Sequence, residues 1–117
     1  MKRHAVCQLD EIPDGTIKAL HIGGRDVLLV RKGKSVYALR DSCPHQGGQL
    51  SRGVLTSARV HDKEGKYRLI KCGEVVRCPW HNWEFDVTEG KCLDPSVGLR
   101  VATYEVQVED GRIFVRM

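Results

Sequence analysis

The sequence predicts an all-β fold, a small antiparallel β-barrel or sandwich, on three observations. Short runs of strand-forming residues recur along the chain, turn residues separate them, and no stretch of a dozen residues has a convincing helical period. With 117 residues, 41% of them hydrophobic, the chain is long enough for a domain with a buried core but too short for a cofactor domain plus a substrate domain. We therefore expect residues 1–117 to form a single domain.

Turn residues divide the first 40 residues into four short runs. Glycine accepts a positive φ at low cost, so the breakers Pro13-Asp14-Gly15, Gly23-Gly24 and Lys32-Gly33-Lys34 favour tight turns between antiparallel strands. Strand-forming residues fill the spaces between these breakers. We therefore expect strands at His4 to Leu9, Thr16 to His21, Asp26 to Arg31 and Ser35 to Leu39.

Two polar loops interrupt the strand pattern in the rest of the chain. The first loop runs from Asp41 to Val54 and the second from Cys78 to Trp83. Between them, Lys63-Glu64-Gly65-Lys66 separates two strand-like runs, which predicts a hairpin. The expected strands of this part are Ala58 to Asp62, Tyr67 to Cys72, Glu84 to Val87, Arg100 to Val108 and Arg112 to Arg116.

Cysteine content and charge narrow the class of protein. Five cysteines are an odd number without the density of a secreted disulfide scaffold, which favours metal or free-thiol roles. No apolar run approaches the roughly 20 residues that cross a bilayer, and the first residues have no signal-peptide core, so we expect a cytoplasmic protein with no membrane partner. The net charge is +4, and residues 52–77 hold the whole surplus, with seven Lys and Arg against three Asp and Glu.

Each polar loop contains a cysteine and a histidine, in Cys43-Pro44-His45 and in Cys78-Pro79-Trp80-His81. Proline stiffens each turn, and two such loops can converge on one metal site. A mixed set of thiolates and imidazoles suits either tetrahedral zinc or a 2Fe-2S cluster in which two histidines replace two cysteines on one iron. Zinc fingers usually pair Cys with Cys and His with His, so one of each per loop disfavours zinc.

The segments from Cys43 to Leu50 and from Cys78 to Asp86 resemble the two cluster-binding boxes of Rieske proteins. The resemblance extends more loosely over nearly the whole chain, which is similar to the ferredoxin components of ring-hydroxylating oxygenases. It implies one Rieske-type 2Fe-2S cluster, and a Rieske iron-sulfur-protein-like barrel with a cluster-binding subdomain at about residues 41–87. It also implies a ligand set in which the cysteines bind the inner iron and the histidines the outer iron: Cys43, Cys78, His45 and His81.

The sequence departs from the family pattern in two ways. Thirty-two residues separate His45 from Cys78, about twice the gap in the shortest ferredoxins of the family, so we expect the hairpin to be an insertion that extends the cluster-binding subdomain. High-potential respiratory members have an extra cysteine in each box, and a serine and a tyrosine that donate hydrogen bonds to the cluster. All four features are missing here, which predicts a reduction potential toward the low end of the Rieske range. The corresponding positions are Gly48, Trp80, Trp83 and Phe85.

The resemblance implies a Rieske-type ferredoxin that passes single electrons from a flavin-dependent reductase to a terminal oxygenase. The alternative is a small Rieske subunit of a larger oxidoreductase, either nitrite reductase-like or a split oxygenase. The 36 residues after His81 contain no histidine, so we expect no two-histidine, one-carboxylate iron site and no catalytic residues there. The basic segment is either a solvated insertion or a docking face for an acidic redox partner, and without an aromatic-rich binding motif we expect no nucleic-acid partner.

Overall fold

The computed structural model describes residues 2–44, 47–79 and 82–117. Within these ranges the strands form two sheets, one of six strands and one of three, and every pairing is antiparallel. The all-β prediction is therefore confirmed. The strands are β1 (Arg3–Gln8), β2 (Ile17–Ile22), β3 (Arg25–Lys32), β4 (Ser35–Arg40), β5 (Val54–His61), β6 (Tyr67–Arg77), β7 (Glu84–Asp86), β8 (Thr103–Glu109) and β9 (Arg112–Arg116).

The six-stranded sheet has the order β1-β9-β8-β4-β3-β2, and its strand β3, which lies between β4 and β2, faces a hydrophobic core on each side. Val27 and Leu29 face one core, while Leu28 and Val30 face the other, as the two-residue period of a strand requires. All four side chains are fully buried. The core that contains Leu28 and Val30 lies between this sheet and the three-stranded sheet β5-β6-β7.

In the part of the chain that the structure describes, the helices are two three-residue 3-10 turns, Leu9–Glu11 and Leu50–Arg52. The second follows the first polar loop and buries Leu50 in the same core as Leu28. Within the described ranges, no helix has the length and hydrophobicity needed to cross a membrane.

The predicted hairpin is present, but its strands are longer than predicted. β5 begins at Val54 instead of Ala58, and β6 continues to Arg77 instead of ending at Cys72. The reason is a large bulge: residues 71–74 of β6 lie opposite Ser57 alone, since Thr56 pairs with Val75 and Ala58 with Ile70. Lys71 and Gly73 have positive φ values of 51° and 72°. The strand bends at these residues and continues to Arg77, whereas the glycine in the sequence predicts that it ends there.

Candidate metal centre

The two cysteines predicted to bind iron are buried in one hydrophobic core. Cys43 is 1% exposed and Cys78 is fully buried, and neither forms a disulfide. Both belong to the cluster of side chains that includes Leu50, Val76 and Phe85. The fold therefore brings together two thiols that are 35 positions apart in the sequence.

Backbone hydrogen bonds close the first loop around Cys43. The amide N–H of Cys43 donates to the carbonyl oxygen of Gly48, and the N–H of Gly47 donates to the carbonyl oxygen of Cys43, each at 2.7 Å. Gly47 has a φ of 74°, which glycine adopts without strain. These two bonds connect Cys43 with the Gly47-Gly48 end of the loop.

The second loop has the same local arrangement. The N–H of Cys78 donates to the carbonyl oxygen of Trp83 at 2.7 Å, so in both loops the cysteine N–H reaches the carbonyl five residues later. Asn82 has a φ of 57° at the position that corresponds to Gly47, four residues after the cysteine. Asn tolerates this left-handed conformation better than most side chains do. The two loops are therefore structural counterparts of each other.

Side chains connect the two ends of each loop. In the first loop, the buried carboxylate of Asp41 accepts hydrogen bonds from the Ser51 N–H at 2.7 Å and the Ser51 hydroxyl at 2.6 Å. In the second, Arg77 donates to Glu84 at 3.2 Å. Neither pair was predicted from the sequence. Asp41 stands directly after β4, and the position of a carboxylate at the end of a buried strand was the available signal.

The two loops also contact each other through the backbone. A Cβ atom on Gly53 would overlap the carbonyl oxygen of Arg77, so no larger residue fits at this crossing without a shift. Gly53 ends the first loop, and Arg77 directly precedes Cys78. This close approach holds the two loops in register.

The structure describes the other predicted site residues only in part. His45 and His81 lie outside the described residues, as does Trp80. Phe85 is fully buried in the core that contains the cysteines, and Trp83 packs against that core. A phenylalanine ring has no hydroxyl group, which agrees with the missing hydrogen-bond donor noted in the sequence.

The remaining cysteines have different surroundings. Cys7 packs against the core that contains Val27 and Leu29. Cys92 packs against the core that contains Cys43 and Cys78, and Cys72 is exposed on the β6 bulge. Burial raises the pKa of the Cys7 thiol, and Lys18 opposes that rise only in part. The half-buried surroundings of Cys7 and Cys92 fit inert thiols, whereas Cys72 is accessible to reagents.

The described residues fit a 2Fe-2S cluster. Two buried thiols on loops fixed by backbone hydrogen bonds would supply two of the four ligands that such a cluster needs, and each loop also has a histidine close to its cysteine in sequence. Apolar side chains surround the thiols and limit access of water to the site.

Known proteins share these features. The profile of the Rieske [2Fe-2S] domain family matches residues 2–105. A ferredoxin component of naphthalene 1,2-dioxygenase/salicylate 5-hydroxylase systems from Ralstonia sp is 28% identical over 113 residues, which cover 97% of this chain and 92% of the relative. Human apoptosis-inducing factor 3 is 31% identical over 113 residues, which cover 96% of this chain but only 16% of that protein.

A solved structure has the same fold. It is a chain from the complex of reduced oxygenase and oxidised ferredoxin in carbazole 1,9a-dioxygenase, with a TM-score of 0.76 and 26% sequence identity. The match covers 97% of this chain and all of that chain. The fold, the paired cysteine loops and the family profile lead to one conclusion: the chain belongs to the Rieske [2Fe-2S] domain family, whose cofactor is one Rieske-type 2Fe-2S cluster.

Proposed function

We propose that this protein is a Rieske-type ferredoxin that passes single electrons from a flavin-dependent reductase to a terminal oxygenase. Its ligands in this proposal are Cys43, His45, Cys78 and His81. The observation that carries the proposal is the matched pair of loops, each with a buried cysteine whose N–H reaches the carbonyl five residues later. Such a cluster supplies one-electron transfer when bound, and the proposal assigns no catalytic residue to the chain.

The ligand set accounts for the chemistry expected of the carrier. Two cysteine thiolates balance the +2 charge of an oxidised 2Fe-2S core, whereas four thiolates would leave an overall charge of −2. An electron is therefore added more easily to the mixed set, and this agrees with the higher potentials of Rieske centres. The buried cysteines lie on the inner side of the site, so we assign His45 and His81 to the side at which electrons enter and leave.

Two relatives support the choice of partners. The Ralstonia protein is a ferredoxin component of oxygenase systems, and this chain spans nearly all of it. The carbazole 1,9a-dioxygenase structure contains a ferredoxin together with its oxygenase. By the same reasoning we propose a cytoplasmic protein in which residues 1–117 act as one Rieske domain.

A second candidate is the Rieske component of a larger oxidoreductase. The observation that favours it is the similarity to human apoptosis-inducing factor 3, of which this chain spans only 16%. In that case the electron would pass to a centre on the same or a tightly associated larger chain. We place this candidate second because the relative from Ralstonia has nearly the same length as this chain.

Purification and reduction distinguish the two candidates. A free ferredoxin purifies from its own cells as a brown protein without a larger chain, and it is reduced by a flavin reductase with NAD(P)H. A subunit co-elutes with a much larger protein in every fractionation step. A brown protein that no reductase reduces, and that donates no electron to an oxygenase, would contradict the proposed function.

A further inference from the structure

The β5–β6 hairpin continues beyond the bulge as a two-stranded ribbon. We call residues 58–70 the arm: Ala58 pairs with Ile70, and the pairing continues to His61 with Tyr67. β7 pairs only with residues 75–77 of β6, so the arm has no third strand within the described chain. A lone two-stranded ribbon is marginally stable in water, so a partner surface would stabilise it.

The base of the arm is fastened to the rest of the molecule through the bulge. The Lys71 ammonium lies 2.7 Å from the buried carboxylate of Asp86, and the Val87 N–H donates to the Glu74 carbonyl at 2.9 Å. Glu74 also pairs with Lys32 of β3 at 3.0 Å. These contacts fix the direction in which the arm leaves the body.

One face of the arm combines aromatic, aliphatic and basic side chains. Directly opposite residues of an antiparallel pair share a face, so Arg59 lies beside Leu69, and His61 beside Tyr67. Tyr67 is 59% exposed and Leu69 is 53% exposed. Leu55, two positions before Ser57 on the same face of β5, packs against the core. The bulge separates Leu55 from the arm, and within the arm the face with Arg59, His61, Tyr67 and Leu69 is exposed.

Within the described residues, the positive charges of the arm have no carboxylate partners. Asp62 caps the turn by accepting hydrogen bonds from the backbone N–H groups of Glu64 and Lys66, so its carboxylate is already engaged. The Arg59 guanidinium lies 4.9 Å from the centre of the Tyr67 ring. In the ranges that the structure describes, none of the arm cations forms an ion pair with a carboxylate: Arg59, Lys63, Lys66 and Arg68.

The arm extends away from the metal centre. The ladder begins where Val54 pairs with Arg77, directly before Cys78, and it ends where His61 pairs with Tyr67. At about 3.3 Å per residue, the far end lies roughly 23 Å along β5 from Val54. A protein bound to the arm therefore leaves the end of the molecule that contains the cluster free for electron transfer.

We propose that the arm binds a redox partner protein. The binding surface of that partner would be acidic, with carboxylates arranged around an apolar patch. This inference rests on the proposed function and adds a second docking site to it. The carboxylates would pair with Arg59, Lys63 and Lys66, since Arg68 pairs with Val60 on the opposite face of the ribbon, and the apolar contact would cover Tyr67 and Leu69. A second copy of this chain is disfavoured because a symmetric contact would bring two basic arms together. Nucleic acid is disfavoured because Arg59 and His61 already flank the Tyr67 ring, which limits base stacking.

The test uses the cluster-loaded protein labelled with ¹⁵N and a short synthetic peptide of glutamates with one leucine and one phenylalanine. The peptide is titrated at low and high salt, and amide shifts of the arm are followed by NMR. The test variant is Arg59→Glu/Lys63→Glu/Lys66→Glu. The matched control, Lys2→Glu/Lys34→Glu/Arg112→Glu, makes the same change in net charge at exposed positions outside the arm.

The proposal predicts that the peptide shifts amide signals of residues 58–70 and that its affinity falls as salt rises. The test variant should weaken binding by about tenfold or more, the control variant by less than about threefold, and Tyr67→Ser/Leu69→Ser should weaken it at unchanged charge. A version of the peptide with glutamine in place of glutamate should not bind.

Several results would overturn the proposal. One is that the peptide does not bind, shifts amide signals only outside the arm, or loses the same affinity in the test and control variants. Tighter binding of oligouridine or phosphatidylserine vesicles than of the peptide would indicate a different kind of partner. Amide shifts of the arm that depend on protein concentration alone would indicate contact between copies of this chain. Failure of the proposed function gives a different result. The protein would then lack the cluster spectrum or would transfer no electrons, while the peptide would still bind to the arm.

Discussion

Gly53 and the carbonyl group of Arg77 are in contact, and this contact joins the two loops that contain the cysteines. A Cβ atom at position 53 would overlap that carbonyl oxygen. The Gly53 N–H meanwhile donates to the Leu50 carbonyl at 2.9 Å, so Gly53 is held on both sides. A shift of either strand would move Cys78, which follows Arg77 directly.

Substitution of Gly53 by alanine is expected to impair the metal centre. The added methyl group must push the Arg77 backbone away, which costs roughly 1–3 kcal/mol and displaces Cys78. We expect lower iron content and faster loss of the visible absorption during heating. The control is Gly65→Ala at the turn of the arm, where a Cβ meets open space and the φ of 81° adds only local backbone strain far from the cysteines. Equal iron retention in the two variants would contradict the role of this contact.

The ion pair between Lys71 and Asp86 is expected to stabilise the fold. Burial alone would raise the pKa of Asp86, but hydrogen bonds from Lys71 and Thr88 and the charge of Lys71 lower it below its ordinary value of 3.8. Because the folded state lowers the pKa of Asp86, its charged carboxylate stabilises the fold at a pH above about 3.8. This stabilisation is lost as the pH falls through the lowered pKa of the folded protein. The same pair raises the pKa of Lys71.

Lys71→Met should therefore reduce the free energy of unfolding by roughly 1–2 kcal/mol, a value that allows for the partial exposure of the ammonium group. Urea unfolding between about pH 5 and pH 8 should give a constant difference from the wild type, since both groups stay charged in that interval. Lys91→Met breaks an exposed pair with Glu89 and should cost less than about 0.5 kcal/mol. A Lys71→Met protein as stable as the wild type would contradict this account.

The cysteines are expected to differ widely in their reactivity toward iodoacetamide. Cys72 is exposed and should react first, whereas Cys7 is half-buried with a raised pKa and should react slowly at pH 8. Cys43 and Cys78 should react only after removal of the iron. Mass spectrometry of peptides from the brown protein checks this order, and Cys72→Ser should abolish the fast phase. Alkylation of Cys43 at the rate of Cys72 in the iron-loaded protein would contradict the ligand assignment.

The reduction potential is expected near the low end of the Rieske range, toward about −150 mV. Phe85 is fully buried beside the cysteines and offers no hydroxyl group to the cluster. A hydrogen bond that is stronger by about 1 kcal/mol in the reduced state raises a one-electron midpoint by roughly 40 mV, so Phe85→Tyr should raise it by that order. Phe85→Leu is the control. A wild-type midpoint well above zero in a redox titration would contradict this prediction.

Local sequence signals predicted most of the fold. The glycine turns at Gly23-Gly24 and Gly33 predict where β2, β3 and β4 begin and end to within one or two residues. This works because a two-residue hairpin turn leaves little freedom in the register of its strands. β6 was predicted to end at Cys72, and that boundary was wrong. Gly73 resembles a strand breaker in sequence, and only the pairing of residues 75–77 with β7 shows that the strand continues.

The sequence motifs single out the two cysteines, but they do not indicate the side-chain contacts that hold the cysteine loops in place. Cys43 and Cys78 were identified by their motifs, and the structure brings both into one core. The place of Asp41 at the end of a strand marks it as a candidate, but the bonds from Ser51 to Asp41 and from Lys71 to Asp86 join residues 10 and 15 positions apart, so no local pattern indicates the partners. The histidine ligands remain a prediction from the sequence.

The most direct test of the account is the spectrum of the purified protein, measured on the wild type and on His81→Cys. The wild type should be brown, contain two irons per chain, and give an EPR signal of a mixed histidine and cysteine cluster after reduction with dithionite. His81→Cys should change that signal or lower the midpoint, because a thiolate adds negative charge to the site. A colourless, EPR-silent wild-type protein that binds one zinc ion would contradict the central claim.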